Sequence, residues 1–427
     1  MQREIHHHSI VFWGAIVVLA SAFLYSTASA GVRASATFTP ACKSAAGGQL
    51  LRDAEFNPDG MSATWQNDPI VDKNGVVRKQ ANIYIATVNP LNGTINASAA
   101  QVVSGTNPAP LEATLNGPEW GCAAGLCSIY FNSYTTDGTN VRLAKLSHTM
   151  SGSWQVSFLP SANGKSTAYP TQNVSMSGPV LLNYFNTTGS FATHNFSIFG
   201  SFAWRADTNT PTDKIIPNAT EGHWVPGTQK LVLKNLITPP SGAPYDQVVL
   251  YDTTTGQSSV VADHLEVSGP EVSPGAWLAP EVGGAPLVLM QENTLSGSGQ
   301  TIVIYKQNAD GSWSVYNTIT PPDPAFPAFW LPEPVVFKGH SYLTFSAFQG
   351  ESGTLVTGGS EIWLVSVDPT LPQVVHKVSI DYDANQISVK NDTETLPILA
   401  GTKLLVYYVD GGTNTVAPDL KTCDSGL

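Results

Sequence analysis

The hydrophobic positions of this chain fall in short runs that alternate with polar ones, and nearly every run ends at a glycine-bearing turn. The clearest case begins at Trp330-Leu331-Pro332-Glu333-Pro334-Val335-Val336-Phe337, breaks at Lys338-Gly339, and resumes as Ser341-Tyr342-Leu343-Thr344-Phe345. An apolar run, a tight turn and an alternating run predict a β-hairpin. Weaker copies occur at Trp277-Leu278-Ala279-Pro280-Glu281-Val282-Gly283-Gly284, leading into Ala285 to Met290, and at Gly117-Pro118-Glu119-Trp120, turning through Ala123-Ala124-Gly125 into Ser128-Ile129-Tyr130-Phe131. One hairpin theme recurring along a chain is the mark of a repeat fold.

Two of these units stay in phase well beyond the hairpin. After Glu119 come Val141-Arg142-Leu143-Ala144-Lys145-Leu146 and then Gly152-Ser153-Trp154; after Glu281 come Ile302-Val303-Ile304-Tyr305-Lys306 and then Gly311-Ser312-Trp313. The distance from Glu to Gly-Ser-Trp is nearly the same in both. Further openings are read at Glu55, Gly178-Pro179-Val180-Leu181-Leu182, His223-Trp224-Val225-Pro226, Glu333 and Leu396-Pro397-Ile398-Leu399. Seven openings, roughly 45 to 65 residues apart, suit four-stranded blades of a β-propeller. Seven blades are expected, with six as the alternative because residues 180–216 are irregular. A pair of β-sandwiches is the competing all-β architecture and accounts for the repeats less well. The last unit is short, and a strand near Ala36-Thr37-Phe38-Thr39 is expected to complete it and close the ring. Closure also removes the sheet edges that invite aggregation.

Composition agrees with strands and turns: only 12% of the 427 residues are charged, and Gly and Pro number 37 and 30. The net charge of −12, with no Lys/Arg cluster, argues against nucleic acid and anionic membranes as partners. At the N-terminus Arg3 precedes an apolar run from Ile10 to about Tyr25, and Ala28-Ser29-Ala30 offers small residues for cleavage. This pattern reads as a signal peptide over residues 1–30, with residues 31–427 as a single propeller domain; an uncleaved anchor is the alternative. The product would be secreted, or periplasmic in a Gram-negative cell, free of the membrane after cleavage, and a monomer.

Four cysteines in a secreted chain predict disulfides. Cys122 and Cys127 share one short turn, and Cys42 and Cys423 lie near the two ends, so the expected pairs are Cys122–Cys127 and Cys42–Cys423, the second locking the ring. Sequons at Asn92, Asn96, Asn173, Asn186, Asn195, Asn218 and Asn391 would mark exposed loops in a eukaryotic glycoprotein.

In a propeller the first strand of each blade lines the channel, and its starting residues face one mouth. Glu55, Glu119, Glu281 and Glu333 would then converge from four blades, with Trp120, Trp224, Trp277 and Trp330 beside the same openings and His223 at one of them. Carboxylates can protonate a leaving oxygen or activate water, and indole faces stack on sugar rings. The structural alternative is that Pro-Glu merely leads into a strand and that each Trp packs between blades. No metal-ligand spacing links the histidines. Asp381-Tyr382-Asp383-Ala384-Asn385 starts like a calcium loop but has Gln386 where glycine is needed, so neither metal nor cofactor is expected. Serine-hydrolase, zinc-protease and nucleotide fingerprints do not occur.

Two stretches carry resemblances. Glu55-Phe56-Asn57-Pro58-Asp59-Gly60 followed by Met61 to Trp65 resembles the strand, Pro-Asp-Gly turn and strand that open blades in TolB-like propellers. Pro332-Glu333-Pro334 with Gly339, Tyr342 and Leu343 resembles the acid-bearing blade of arabinanase- and xylosidase-type glycosidases, where a Glu precedes Gly-Pro and a Gly-x-Tyr-Tyr-Leu strand follows. Here Pro334 follows Glu333 directly, and the N-terminal Asp-Pro base motif is lacking. The resemblance implies an acid role for Glu333 and leaves the base unassigned. The expectation is a secreted carbohydrate-active propeller acting on a poly- or oligosaccharide, like a glycoside hydrolase or lyase. Glu333, Glu281 and Glu119 would be its acids, and Trp330, Trp277, Trp120, Trp224, His223 and Glu55 its binding residues. The alternatives are a propeller that binds glycan or protein without catalysis, and a structural envelope protein.

Overall fold

A computed structural model describes residues 41–49, 51–66, 70–71, 77–79, 82–102, 118–134, 141–148, 152–159, 165–170, 172–173, 178–186, 188–190, 195–197, 202–208, 212–265, 274–293, 300–352, 355–371, 375–379, 393–410 and 419–427. The expected signal segment, the strand expected near Ala36 and the calcium-like loop lie outside these residues.

The chain forms seven four-stranded antiparallel blades. Blade 1 runs Arg52–Phe56, Ser62–Gln66, Ile83–Thr87 and Gln101–Val102; blade 2 runs Glu119–Ala123, Leu126–Tyr134, Val141–His148 and Trp154–Phe158. Blade 3 holds Lys165–Pro170, Leu181–Asn186, Phe202–Ala206 and Lys214–Ile216, and blade 4 holds Ala219–Trp224, Lys230–Ile237, Tyr245–Asp252 and Gln257–Leu265. Blade 5 comprises Gly275–Ala279, Ala285–Asn293, Gln300–Gln307 and Trp313–Ile319, and blade 6 comprises Ala328–Phe337, His340–Ser352, Leu355–Ser366 and Val375–Lys377. Blade 7 takes Thr393–Ile398, Lys403–Asp410 and Asp419–Asp424 from the C-terminal end and Cys42–Ser44 from the N-terminal end. The innermost strands of successive blades touch around the full ring, blade 7 against blade 1 included.

The turns have the local chemistry that the hairpins require. Lys338 and Gly339 lie at φ 49° and 81°, and Ala124 and Gly125 at 51° and 78°. Two consecutive positive φ values match the right-handed twist of the flanking strands, and glycine adopts them without strain. The outer strands of blades 2 and 5 begin at Trp154 and Trp313, so the Gly-Ser-Trp phase seen in the sequence is a true structural repeat.

Blade 3 corrects one expectation. Its inner strand is Lys165–Pro170, and Leu181 opens the second strand instead of the first. The Lys165–Pro170 segment lacks strong apolar alternation and ends in proline, so its pattern is faint. Between these two strands Gln172–Asn173 pairs in parallel with Cys122–Ala123, adding a fifth strand on the channel side of blade 2.

The core lies in the seams between blades. The buried apolar residues form seven clusters, one at each seam. Alternation assigns neighbours to opposite seams: Leu405 and Tyr407 pack towards blade 1, while Leu404, Val406 and Tyr408 pack towards blade 6. Both faces of each middle strand are therefore buried, which explains near-continuous apolar runs such as Leu404 to Tyr408. Burying each such side chain contributes about 1.5–3 kcal/mol.

Candidate functional site

Strand direction gives the ring two unlike ends. Every inner strand starts at one end and turns back at the other. At the starting end the second strand of each blade gives way to the third, and in blades 1 and 3 this passage holds further described strands. Each of these two passages carries a small extra hairpin, Ile70–Val71 with Val77–Lys79 and Thr188–Ser190 with Asn195–Ser197. The opposite end carries short turns such as Ala124-Gly125 and Lys338-Gly339, together with one longer connection, residues 88–100 of blade 1. Long loops on a rigid scaffold are where binding groups concentrate, which makes the starting end the candidate mouth.

The glutamates occupy different heights on this frame. Glu119 is the first residue of the blade 2 inner strand and is half-buried, opposite Tyr130. Glu55 and Glu333 lie further along their strands, each just after a one-residue bulge. In blade 1 the register passes from Arg52↔Gln66 to Glu55↔Thr64, and in blade 6 from Trp330↔Ser346 to Glu333↔Thr344. Thr64 and Thr344 are both fully buried, so the two sites share a local plan. Blade 4 repeats the bulge, from Ala219↔Asn235 to Glu221↔Lys234. A bulge re-aims the residue that follows it and bends the strand. In blade 6 the extra residue lies at Leu331-Pro332, where proline has no N–H to give the ladder. Glu333 is exposed and Glu55 half-buried.

Glu221 was not among the residues singled out from sequence. Its only sequence signal is the small Gly222 beside it. A Cβ at Gly222 would come within 2.7 Å of Phe202 and Leu233, and the buried Asn183 amide donates to its carbonyl at 2.7 Å.

Glu281 stands apart from these acids. The blade 5 inner strand ends at Ala279, and Pro280–Val282 forms a single 3-10 turn with Pro280 at its first position. Glu281 therefore follows the strand it was expected to open, and it sits at the short-turn end, opposite the mouth that Glu119 borders. His223 and Trp224 are likewise the last two residues of their inner strand. His223 is half-buried, and desolvation holds its imidazole down to about 4.

The indoles pack in the seams. Trp120 is 2% exposed and donates its N–H to the Glu55 carbonyl at 3.2 Å, joining blades 1 and 2. Trp277, 4% exposed, donates to the Ser341 hydroxyl at 2.8 Å, joining blades 5 and 6. Trp224 is buried edge-on against Trp204 in the blade 3–4 seam. Burial in the seams leaves the three indoles little exposed ring surface on which a sugar could stack. Trp330 lies near the start of the blade 6 inner strand, opposite Ser346.

Two polar networks were also missed from sequence. At the blade 2–3 seam Asp207 Oδ2 accepts from the Tyr130 hydroxyl at 2.5 Å and from Lys145 Nζ at 2.6 Å. At the blade 5–6 seam His340 Nδ1 lies 3.0 Å from Asp368 Oδ2. Both link groups distant in sequence, so no local motif announces them. Both disulfides occur as expected, Cys42–Cys423 and Cys122–Cys127. Among the described residues no group of three His, Cys, Asp or Glu is placed to hold a metal, and no helix is long and apolar enough to cross a membrane.

No protein-family model matches the chain, and no curated protein is similar to it in sequence. Solved structures do align with it. The sialidase of Trypanosoma rangeli shares 12% identity at a TM-score of 0.40, over 91% of this chain and 60% of the sialidase. A thermostable family-43 glycoside hydrolase shares 9% at 0.32, over 72% of this chain and 86% of that one. The tricorn protease shares 10% at 0.46, over 84% and 34%. This chain thus spans 60% of the sialidase it matches, less than two thirds. At these identities and scores the likenesses assign neither family nor function; the class, a seven-bladed β-propeller, rests on the strand topology.

Proposed function

We propose that the protein is a secreted carbohydrate-active propeller that takes a poly- or oligosaccharide at its loop-bearing mouth. The observation that carries this reading is the exposed Glu333, set by a bulge part-way along the inner strand of blade 6; Glu55 follows a like bulge in blade 1 but lies next to the last residue of its strand, towards the short-turn end. Carboxylates presented from several inner strands can hydrogen-bond sugar hydroxyls, and one of them can protonate a glycosidic oxygen. Glu333, part-way along its strand, is the acid; Glu119 borders the mouth, and Trp330 is the remaining candidate for stacking. The two disulfides support passage through an oxidising compartment.

The burial of Trp120, Trp224 and Trp277 favours a second reading, in which the mouth binds glycan or protein without turnover. A glycan array followed by hydrolysis assays separates the two. Under the first reading Glu333→Gln abolishes turnover and retains binding, because the amide keeps the shape and loses the transferable proton. Binding without turnover by the parent protein selects the second reading, and a parent that neither binds nor cleaves any glycan rejects the carbohydrate assignment.

A further inference from the structure

At the short-turn end of the blade 5–6 seam lies a group of ionisable side chains that the proposed mouth does not use. It comprises Glu281 from the first turn of blade 5, Tyr316 from its outer strand, and His340, Tyr342 and Asp368 from blade 6. The two carboxylates are in opposite situations. Asp368 Oδ1 accepts from the Thr370 amide at 2.8 Å and its hydroxyl at 2.6 Å, and Oδ2 meets His340 Nδ1 at 3.0 Å. Both oxygens of Glu281 are buried, and among the described residues neither has a hydrogen-bond partner.

The turn holds Glu281 in that position. Gly283 caps the 3-10 turn in the left-handed conformation at φ 71°, its N–H donating to the Pro280 carbonyl at 3.0 Å, and the Gly284 N–H donates to the Ala279 carbonyl at 2.9 Å. A buried carboxylate without donors is strongly unfavourable in a folded protein, and such a group calls for an outside partner. The neighbouring groups do not provide one. Lys306 Nζ lies over the Tyr316 ring, 5.9 Å from its centroid, and makes no bond to Glu281. Burial, reinforced by Asp368 and Glu281, pushes the Tyr316 hydroxyl up to about 12 and raises Tyr342, so both phenols stay neutral. His340, 38% exposed, marks where the group meets solvent.

The geometry points to a binding site for a guanidinium group at this seam, with Glu281 as its anchor. Two orphaned oxygens on one carboxylate match the paired N–H fork of a guanidinium, which satisfies both at once. The ligand's charge balances that of Glu281, whose field reaches the Tyr316 and Tyr342 hydroxyls beside it. An inorganic ion fits less well, since among the described residues no three His, Cys, Asp or Glu converge on one point. The guanidinium could belong to a small molecule or to an arginine side chain of a peptide; the recognition chemistry is the same.

The test is calorimetric titration of the full-length folded protein with methylguanidinium, with N-acetyl-arginine-N′-methylamide, and with tetramethylammonium, which carries the charge but no N–H. The expected result is saturable binding of both guanidinium probes, no binding of tetramethylammonium, and at least tenfold weaker binding by Glu281→Gln. Glu281→Asp, which keeps the charge on a shorter arm, should be intermediate and serves if the glutamine variant fails to fold. Tenfold tighter binding of the arginine derivative than of methylguanidinium identifies a peptide ligand, and equal binding identifies a small molecule. The proposal is overturned if the parent shows no saturable guanidinium binding, if tetramethylammonium binds equally, or if a folded Glu281→Gln binds like the parent. None of these outcomes bears on the glycan reading, which concerns the other end of the ring.

Discussion

Cys42 stands directly opposite Cys423 in the outer ladder of blade 7, and a disulfide joins the two across 381 positions of sequence. The same strand pair is tied by the Ser44 hydroxyl, which donates to Asp419 Oδ1 at 3.0 Å. Ring closure thus rests on this ladder, extended by the Ala45 N–H to the Leu420 carbonyl and the Asp424 N–H to the Ala41 carbonyl, on the Ser44–Asp419 bond, on the disulfide and on the seam beneath them. Replacing both cysteines by serine should lower stability by about 2–5 kcal/mol, because the unfolded chain regains the freedom of a very long loop. Urea denaturation measures the loss, and hydrogen exchange should show Cys42–Ser44 losing protection first. Unchanged stability in the double variant would mean that packing alone closes the ring.

Blade 7 is also fastened to blade 1 at Gly93. The Tyr407 hydroxyl donates to the Gly93 carbonyl at 2.7 Å, and Gly93 adopts φ 71°. A Cβ there would collide with Leu405 and with that same hydroxyl. Gly93→Ala should cost about 1–3 kcal/mol through strain and overpacking. Gly125→Ala shares the positive φ but meets open space, so it reports the backbone part alone. Equal losses in the two variants would refute the packing contribution at Gly93.

Indole burial makes a further prediction. Trp120→Ala removes a large buried ring from the blade 1–2 seam and should destabilise by about 3–5 kcal/mol. Ser341→Ala keeps the volume but strips the Trp277 N–H of its acceptor, with an expected cost of about 1–3 kcal/mol. Thermal melts of both variants check this. A Trp120→Ala protein with parental stability would return that residue to a binding role.

Stability should also fall in mild acid. Burial lowers His223 to about 4 from 6.5, and burial, only partly opposed by the Ser425 carbonyl, lowers His376. As pH drops below about 6.5 the unfolded chain takes up protons at these positions that the folded chain resists, so stability decreases towards pH 4. A second loss begins below the ordinary aspartate value of 3.8. At Asp368 burial is outweighed by the Thr370 donors and His340, and at Asp424 by Lys403 and the Gly426 amide; both carboxyls are held low. His223→Gln with His376→Gln should flatten the melting temperature between pH 6.5 and 4 while leaving the steeper acid limb. An unaltered pH profile would show that these imidazoles are not the source.

Local pattern was enough for the strands and most of the turns, because a period of two and a positive-φ glycine act over a few residues. Hence the hairpins at Lys338-Gly339 and Ala124-Gly125, the Gly-Ser-Trp repeat and the count of seven were legible, and paired cysteines at the chain ends pointed to closure. Only the tertiary structure decided what each singled-out side chain does. In a propeller both faces of a strand are buried, so alternation cannot tell a seam from a mouth; Trp120 and Trp277 went into seams. Which end of the ring a residue reaches depends on where its strand stops; the blade 5 inner strand stops at Ala279, so Glu281 falls in the 3-10 turn that follows. The bulges ahead of Glu55, Glu221 and Glu333 shift register by one residue against a partner strand, a relation between two segments that neither segment's own sequence contains.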